Sequence, residues 1–205
     1  MPDLTPLWIS IKVGFISTII VSILGIFICT TLYKRKGHAT QFLESLILLP
    51  IVLPPTVLGF ILIIVFSPRT FVGQFFQNVL HLPVVFTMTG AVIASVIVSF
   101  PLMYQHTIQG FRSINPKMLN TARTMGASER KIFYRLILPL SKRSIIAGIM
   151  MSFARAIGEF GATLMVAGYI PNTTNTLPLE IYFLVERKSG MVMGTCTRCF
   201  FYYSH

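Results

Sequence analysis

Residues 7–33 read LWISIKVGFISTIIVSILGIFICTTLY, a run with a single charge, Lys12, that ends against the basic cluster of Lys34, Arg35 and Lys36. At 1.5 Å per residue a helix of this length reaches roughly 40 Å, enough to cross a hydrocarbon layer of about 30 Å with some tilt. Asp3 and Lys12 are the only charges before or within the run, so it lacks the basic lead and short apolar core of a cleaved leader and is expected to be kept. Thr18, Ser22, Gly25 and Cys29 recur at i, i+4, i+7 and i+11, a stripe of small residues suited to close helix packing.

The whole chain has the same character. Its 205 residues are 54% hydrophobic and 11% charged, with a mean hydropathy of +0.74, far from the balance of a soluble domain. An all-α polytopic membrane protein follows, since helices satisfy their own backbone in lipid. Further spans are expected over residues 42–66, 84–103 and 144–169. Thr87, Ala91, Ser95 and Ser99 give the third a small face, with Pro101 near its end.

The second span contains LLPIVLPPTVLGF, residues 48–60, with Pro50, Pro54 and Pro55 inside an apolar run. Proline removes a backbone donor and clashes with the turn before it. Either the chain breaks there to form a gate or pathway, or a helix begins near Pro54 after an interfacial turn. In the fourth span Arg155 and Glu159 lie four apart, on neighbouring turns of one face if the helix is continuous. Gly148 and Ser152 share that face, while Gly158 and Gly161 invite a bend. Charges inside an apolar span face a bundle interior, a cavity or each other. The set suggests a polar seam, at a pathway or a subunit interface, or else an ion pair that only locks the helix; direct capture of a substrate by Arg155 is the weakest of these.

With 17 Lys and Arg against 6 Asp and Glu the net charge is +11. The excess falls in the loop after residue 33 and in residues 112–143, whereas the stretch between spans two and three has only Arg69. By the positive-inside rule the two basic loops are cytoplasmic and the N-terminus is outside. The charge is thus topological, which argues against nucleic acid as a partner.

Residues 115–138 form the polar insert between spans three and four. Asn115 and Pro116 open a short helix over 117–125, with Met118, Ala122 and Met125 as its apolar stripe. Gly126 can end it in the left-handed conformation. Ser128 is placed to cap a second helix whose apolar side is Ile132, Phe133, Leu136 and Ile137, and Glu129 suits its positive end. A DNA-binding helix-turn-helix is a poor reading, because membrane spans follow within a few residues at both ends. An amphipathic pair lying on lipid headgroups is the other alternative, but Thr121, Ala122, Gly126 and Ala127 make the surface small where a partner can approach.

The run NTARTMGASERKIFYRLILP, residues 120–139, resembles the cytoplasmic loop of binding-protein-dependent ABC importer permeases: Glu-Ala-Ala, three residues, Gly, nine residues, Ile-x-Leu-Pro. Asn120, Thr121 and Ala122 take the first three positions, Gly126 the glycine, and Leu136, Leu138 and Pro139 the end. Asn120, Thr121 and Leu136 depart from the pattern; the spacing does not. The stretches LLPIVLPPTVLGF, SFPLM (99–103) and FARAIGEFGATLMVAGYIPNTTNTLPLEIY (153–182) are similar to the molybdate-type permeases, with sulfate and tungstate permeases as near relatives. This resemblance covers residues 5–186.

It implies a type I permease bundle of about five transmembrane helices in a bacterial or archaeal cell membrane, acting as a homodimer. The loop would dock as a coupling helix on a separate ATP-binding cassette subunit, an extracytoplasmic binding protein would deliver the oxyanion, and neither cofactor nor metal is implied. The chain has no Gly-x4-Gly-Lys-Ser/Thr loop of its own to cradle ATP phosphates. His38, His81, His106 and His205 are scattered and build no catalytic set. A self-sufficient secondary transporter or channel is the rival, but internal repeats are not evident.

After Glu186 the pattern fails. A fifth span is expected to begin near Leu177, yet RKSGMVMGTCTRCFFYYSH, residues 187–205, holds no run long enough to complete it and places Arg187, Lys188 and Arg198 against the charge rule. A reading-frame change near residue 187 would produce this tail. Cys196 and Cys199 have redox or metal spacing but no second pair.

Overall fold

The computed structural model describes residues 4–33, 35, 37–78 and 82–188, and these residues contain helices and no strand. The helices are α1 (Thr5–Leu32), α2 (His38–Val52), α3 (Pro55–Val65), α4 (Phe71–Asn78), α5 (Met88–Arg112), α6 (Pro116–Thr124), α7 (Glu129–Ile132), a π-helical turn (Phe133–Ile137), α8 (Leu138–Leu140), α9 (Lys142–Ile157) and α10 (Gly161–Ala167). A last helix, α11, occupies 177–188. The remainder of the tail, with Cys196 and Cys199, lies outside the described residues.

α1, α5 and α9 pack together as the centre of the bundle, with α3 and α10 paired beside α5. The small-residue stripes line these contacts. Gly25 of α1 leaves room for Met103 of α5, and Cys29 Sγ lies 3.6 Å from the Tyr104 carbonyl oxygen. On α5, Ala91, Ser95 and Ser99 are buried, and Thr87 is the N-cap, accepting from the Gly90 N–H. The opposite side of α1 exposes Trp8, Phe15, Ile23 and Phe27, as befits a helix whose solvent is lipid. α1 and α5 alone are long and apolar enough to cross a membrane unaided among the described residues; counting each bent helix pair as one span gives four.

One boundary differs from the expectation, and two breaks fall where the prolines and glycines allow them. The third span is not 84–103 but Met88–Arg112: Pro101 is accommodated inside the helix, and Tyr104, Thr107, Ile108 and Phe111 beyond it are buried. The burial of that last part outweighs the one backbone bond that proline removes. The stretch 42–66 is not a straight passage, since α2 and α3 meet at 114° across Leu53 and Pro54. α2 itself runs through Pro50, so the chain breaks only where two prolines follow one another. The stretch 144–169 breaks at residues 158–160, between α9 and α10.

A line of rings ties one end of the bundle together. Tyr33 meets Phe111 edge-on at 5.7 Å, and Phe111 meets Phe133 at 5.8 Å. The basic loops after α1 and after α5 therefore share one end.

α3 and α10 approach each other closely at Gly59. A Cβ added to Gly59 would fall 2.9 Å from the Ala162 Cα and 2.8 Å from the Met165 Cβ. We expect Gly59→Val to lower stability by about 1–3 kcal/mol, the usual cost of overpacking, because one neighbour is backbone and cannot yield. Gly25→Ala, which meets only the flexible Met103 side chain, is expected to cost less. Thermal unfolding of the two variants in detergent checks the order.

Candidate functional site

Two features stand out, the break region and the loop. At the break, α9 ends at Ile157 with Gly158 as its C-cap, so the helix bends where its glycines invite it and Arg155 and Glu159 do not share one continuous helix. They still meet: Arg155 Nη1 lies 2.5 Å from Glu159 Oε2, with the Glu159 side chain 1% exposed and that of Arg155 33% exposed. The other carboxylate oxygen, Oε1, accepts the Ala162 N–H at 2.8 Å. One buried glutamate thereby closes the break from both sides, holding the end of α9 through Arg155 and the start of α10 through a backbone donor.

The proline break lies against the same place. A Cβ on Gly161 would fall 2.9 Å from the Pro55 Cβ and 3.3 Å from the Thr56 nitrogen. Pro54 is the extended N-cap of α3 and Pro55 its first residue. The fold thus brings Pro55 and the Glu159–Gly161 turn together. Ser152 sits apart from them: fully buried, it donates its hydroxyl to the Ser99 carbonyl at 3.3 Å. Gly148, one turn earlier, faces Met103 and His106. This part of the polar face is the α5–α9 packing seam.

The loop is built by local rules. Asn115 caps α6 by accepting the Lys117 N–H at 2.9 Å. Gly126 has φ +77°, a conformation that L side chains rarely adopt. The Gly126 N–H donates to the Arg123 carbonyl and the Ala127 N–H to the Ala122 carbonyl, at 3.0 and 3.1 Å, which is the Schellman closure of a helix. Ser128 caps α7 through the Lys131 N–H. Asn120 and Glu129 both accept from Arg123, at 2.8 and 2.7 Å. The hydrogen bond from Arg123 to Glu129 raises the pKa of the guanidinium above its ordinary value.

One part of the loop differs from the expectation. Met118, Ala122 and Met125 do not form the inward stripe: Leu119 and Ala122 pack on the core, while Met118 is 44% and Met125 82% exposed. Only an i, i+3 pair fits against the bundle because the nine-residue α6 touches it along a narrow edge. Asn120, Thr121 and Gly126 are exposed too, and Ala127 is half-buried. Leu138 and Pro139 lie farther on, in α8. The π turn precedes them for a reason: Pro139 has no N–H to give the Arg135 carbonyl, and the Leu138 N–H reaches back five residues to Phe133. The axis then turns by 64° into α9.

A bundle of apolar helices with two facing breaks and a capped polar loop at one end is the architecture of a membrane transport component, and the family comparison agrees. The chain belongs to the binding-protein-dependent transport system inner membrane components, whose family model matches residues 21–197. Among individual relatives, YvgM of Bacillus subtilis (strain 168), named provisionally as a molybdenum transport system permease protein, is 44% identical over 195 residues, covering 95% of this chain and 86% of its own length. ModB of Escherichia coli (strain K12), a molybdenum transport system permease protein, is 33% identical over 189 residues, covering 92% of this chain and 82% of its own. ModB of Haemophilus influenzae is 33% identical over 178 residues, 87% of this chain and 77% of its own.

Glu159 performs two jobs, and substitution separates them. Glu159→Gln keeps an acceptor for the Ala162 N–H and loses the charge pair; Glu159→Ala loses both. Breaking a buried pair costs about 3–5 kcal/mol, less here because Arg155 reaches solvent. We expect Glu159→Ala to lower stability by about 1–3 kcal/mol more than Glu159→Gln, the cost of leaving a buried donor unsatisfied, read as the difference in thermal unfolding of the purified variants.

Proposed function

We propose that this chain is the permease subunit of an ATP-driven importer of molybdate, working as a homodimer with two ATP-binding cassette subunits and an extracytoplasmic binding protein. The substrate assignment rests on the names of relatives 33–44% identical over most of the chain. The coupling role rests on one observation: α6 and Gly126 turn their apolar Met118 and Met125 outward at the tip of a rigidly capped loop. Exposed methionines suit an adaptable docking surface, and a single-chain carrier has no need to present them. Asn120, Thr121, Ala122, Gly126 and Ala127 form this contact in our reading, with Leu138 and Pro139 anchoring it to the bundle.

Both basic loops lie at the docking end, so the positive-inside rule makes that end cytoplasmic and the N-terminus external. The facing breaks at Pro54, Pro55 and Glu159 line or gate the pathway, with Arg155 held by Glu159 rather than free to trap the anion, while Ser152 keeps α9 in register with α5. Movement of the loop reaches the breaks along α9, which runs from one to the other.

Gly126→Asp is expected to leave the permease in the membrane, since Asp tolerates the left-handed conformation and a Cβ there meets nothing within 4 Å. Together with Met125→Asp, it should cut molybdate uptake by at least ~10-fold, a loss of ~1.4 kcal/mol or more of effective coupling, and reduce the ATPase subunit that co-purifies. Undiminished uptake in both variants, measured in a reconstituted complex, contradicts the coupling role. Sulfate or tungstate transport is the second reading, favoured by the shared tetrahedral oxyanion chemistry; competition among the three anions in the same assay decides it.

A further inference from the structure

A polar cavity lies at the loop end of the bundle, away from the breaks. It has a volume of about 530 Å³ and is lined by Tyr33, Arg35, Gly37, Thr40, Gln41, Glu44 and Arg112. Four observations give it a sign. Arg112 and Glu44 form a two-pronged ion pair across α5 and α2. That uses two of the five guanidinium donors, and the Arg112 side chain stays 48% exposed. Arg35 lines the same wall and is exposed, so with Glu44 neutralised the cleft carries one net positive charge from side chains.

The N-terminus of α2 adds to this. Its N-cap is Gly37, without a side chain to accept the first-turn N–H groups, and a 15-residue helix directs roughly half a positive charge to that end. Thr40, in that first turn, is 8% exposed, lines the cavity, and makes no side-chain hydrogen bond to any described residue. Lining a cleft with uncompensated positive charge, it offers its hydroxyl to a ligand there. Gln41 and Tyr33 add polar groups to the rim.

We propose that this cleft binds a tetrahedral oxyanion group through Arg35, Arg112, the Thr40 hydroxyl and the first turn of α2, at a site separate from the translocation pathway. The group is either a free dianion of the phosphate or molybdate type or the phosphate of a phospholipid headgroup, which the position at the end of two spans also suits. Tyr33 links the site to the loop, because its ring packs on Phe111 and that ring on Phe133. Occupancy is therefore positioned to act on the loop's seating.

The test uses the full chain, purified with its ATPase subunit and without binding protein, as wild type and as Arg35→Gln, Thr40→Val and Glu44→Gln. Equilibrium dialysis with labelled molybdate and with inorganic phosphate reads the free-anion arm. Native mass spectrometry of retained phospholipid, after exchange into phosphatidylglycerol and phosphatidylcholine nanodiscs, reads the lipid arm. With a free-anion site, Arg35→Gln and Thr40→Val weaken one saturable binding event by at least ~5-fold and Glu44→Gln tightens it. With a headgroup site, the same variants shift the number of retained lipids in those directions while the soluble anions show no variant-sensitive binding. Glu44→Gln keeps the proposal falsifiable, because gained affinity does not arise from misfolding. If neither anion binding nor lipid retention changes across the three variants, the cleft is not an oxyanion site.

Discussion

A backbone that stops being helical inside an apolar run must find new hydrogen-bond partners, because lipid supplies none. The chain does this twice, at Leu53–Pro54 and at Gly158–Phe160, and the rest of the bundle is arranged around the result. At the second break Glu159 supplies the missing acceptor to the Ala162 N–H and ties its remaining charge to Arg155. At the first, prolines reduce the number of donors that need one. The two breaks then cover each other, Gly161 against Pro55 and Gly59 against Ala162, at distances only glycine allows. The pair also packs against α5, through α10 above all.

α9 joins the two ends of the molecule. Its first turns follow the 64° bend from the loop, its middle is fitted to α5 through Gly148 and Ser152, and its end carries Arg155. The α5–α9 seam is made of small residues and one interhelical hydrogen bond, a combination that permits close packing with little side-chain interlock. The π turn before Pro139 interrupts the regular α-helical ladder between the loop and α9.

Much of the architecture was legible beforehand because it depends on local chemistry. Asn115, Gly126 and Ser128 cap and close their helices as residue type predicts, and in the small-residue stripes Thr18, Gly25 and Cys29, and Ala91, Ser95 and Ser99, are buried as their spacing predicts. The misjudged features were nonlocal. Nothing around Pro101 says that Tyr104 and Phe111 will be buried and draw the helix onward to Arg112. The periodicity of α6 does not distinguish Met118 and Met125 from Leu119 and Ala122, because the choice depends on which edge the bundle offers. The pairing of Arg112 with Glu44 joins residues 68 positions apart, and no spacing rule connects them.

By itself, then, the sequence determined the solvent, the helical class, the basic character of the loops and the caps and breaks at Asn115, Gly126, Ser128 and the paired prolines, since all of these follow from the hydrophobicity, charge and dihedral preferences of single residues and short windows. Only the tertiary structure decided that the two breaks face each other, that Glu159 serves both α9 and α10, and that Ser152 belongs to a packing seam. The first and last depend on which surfaces meet across more than 50 residues of chain, and the Glu159 contacts on how α9 and α10 are set at their break, matters settled by close packing in three dimensions rather than by any local preference.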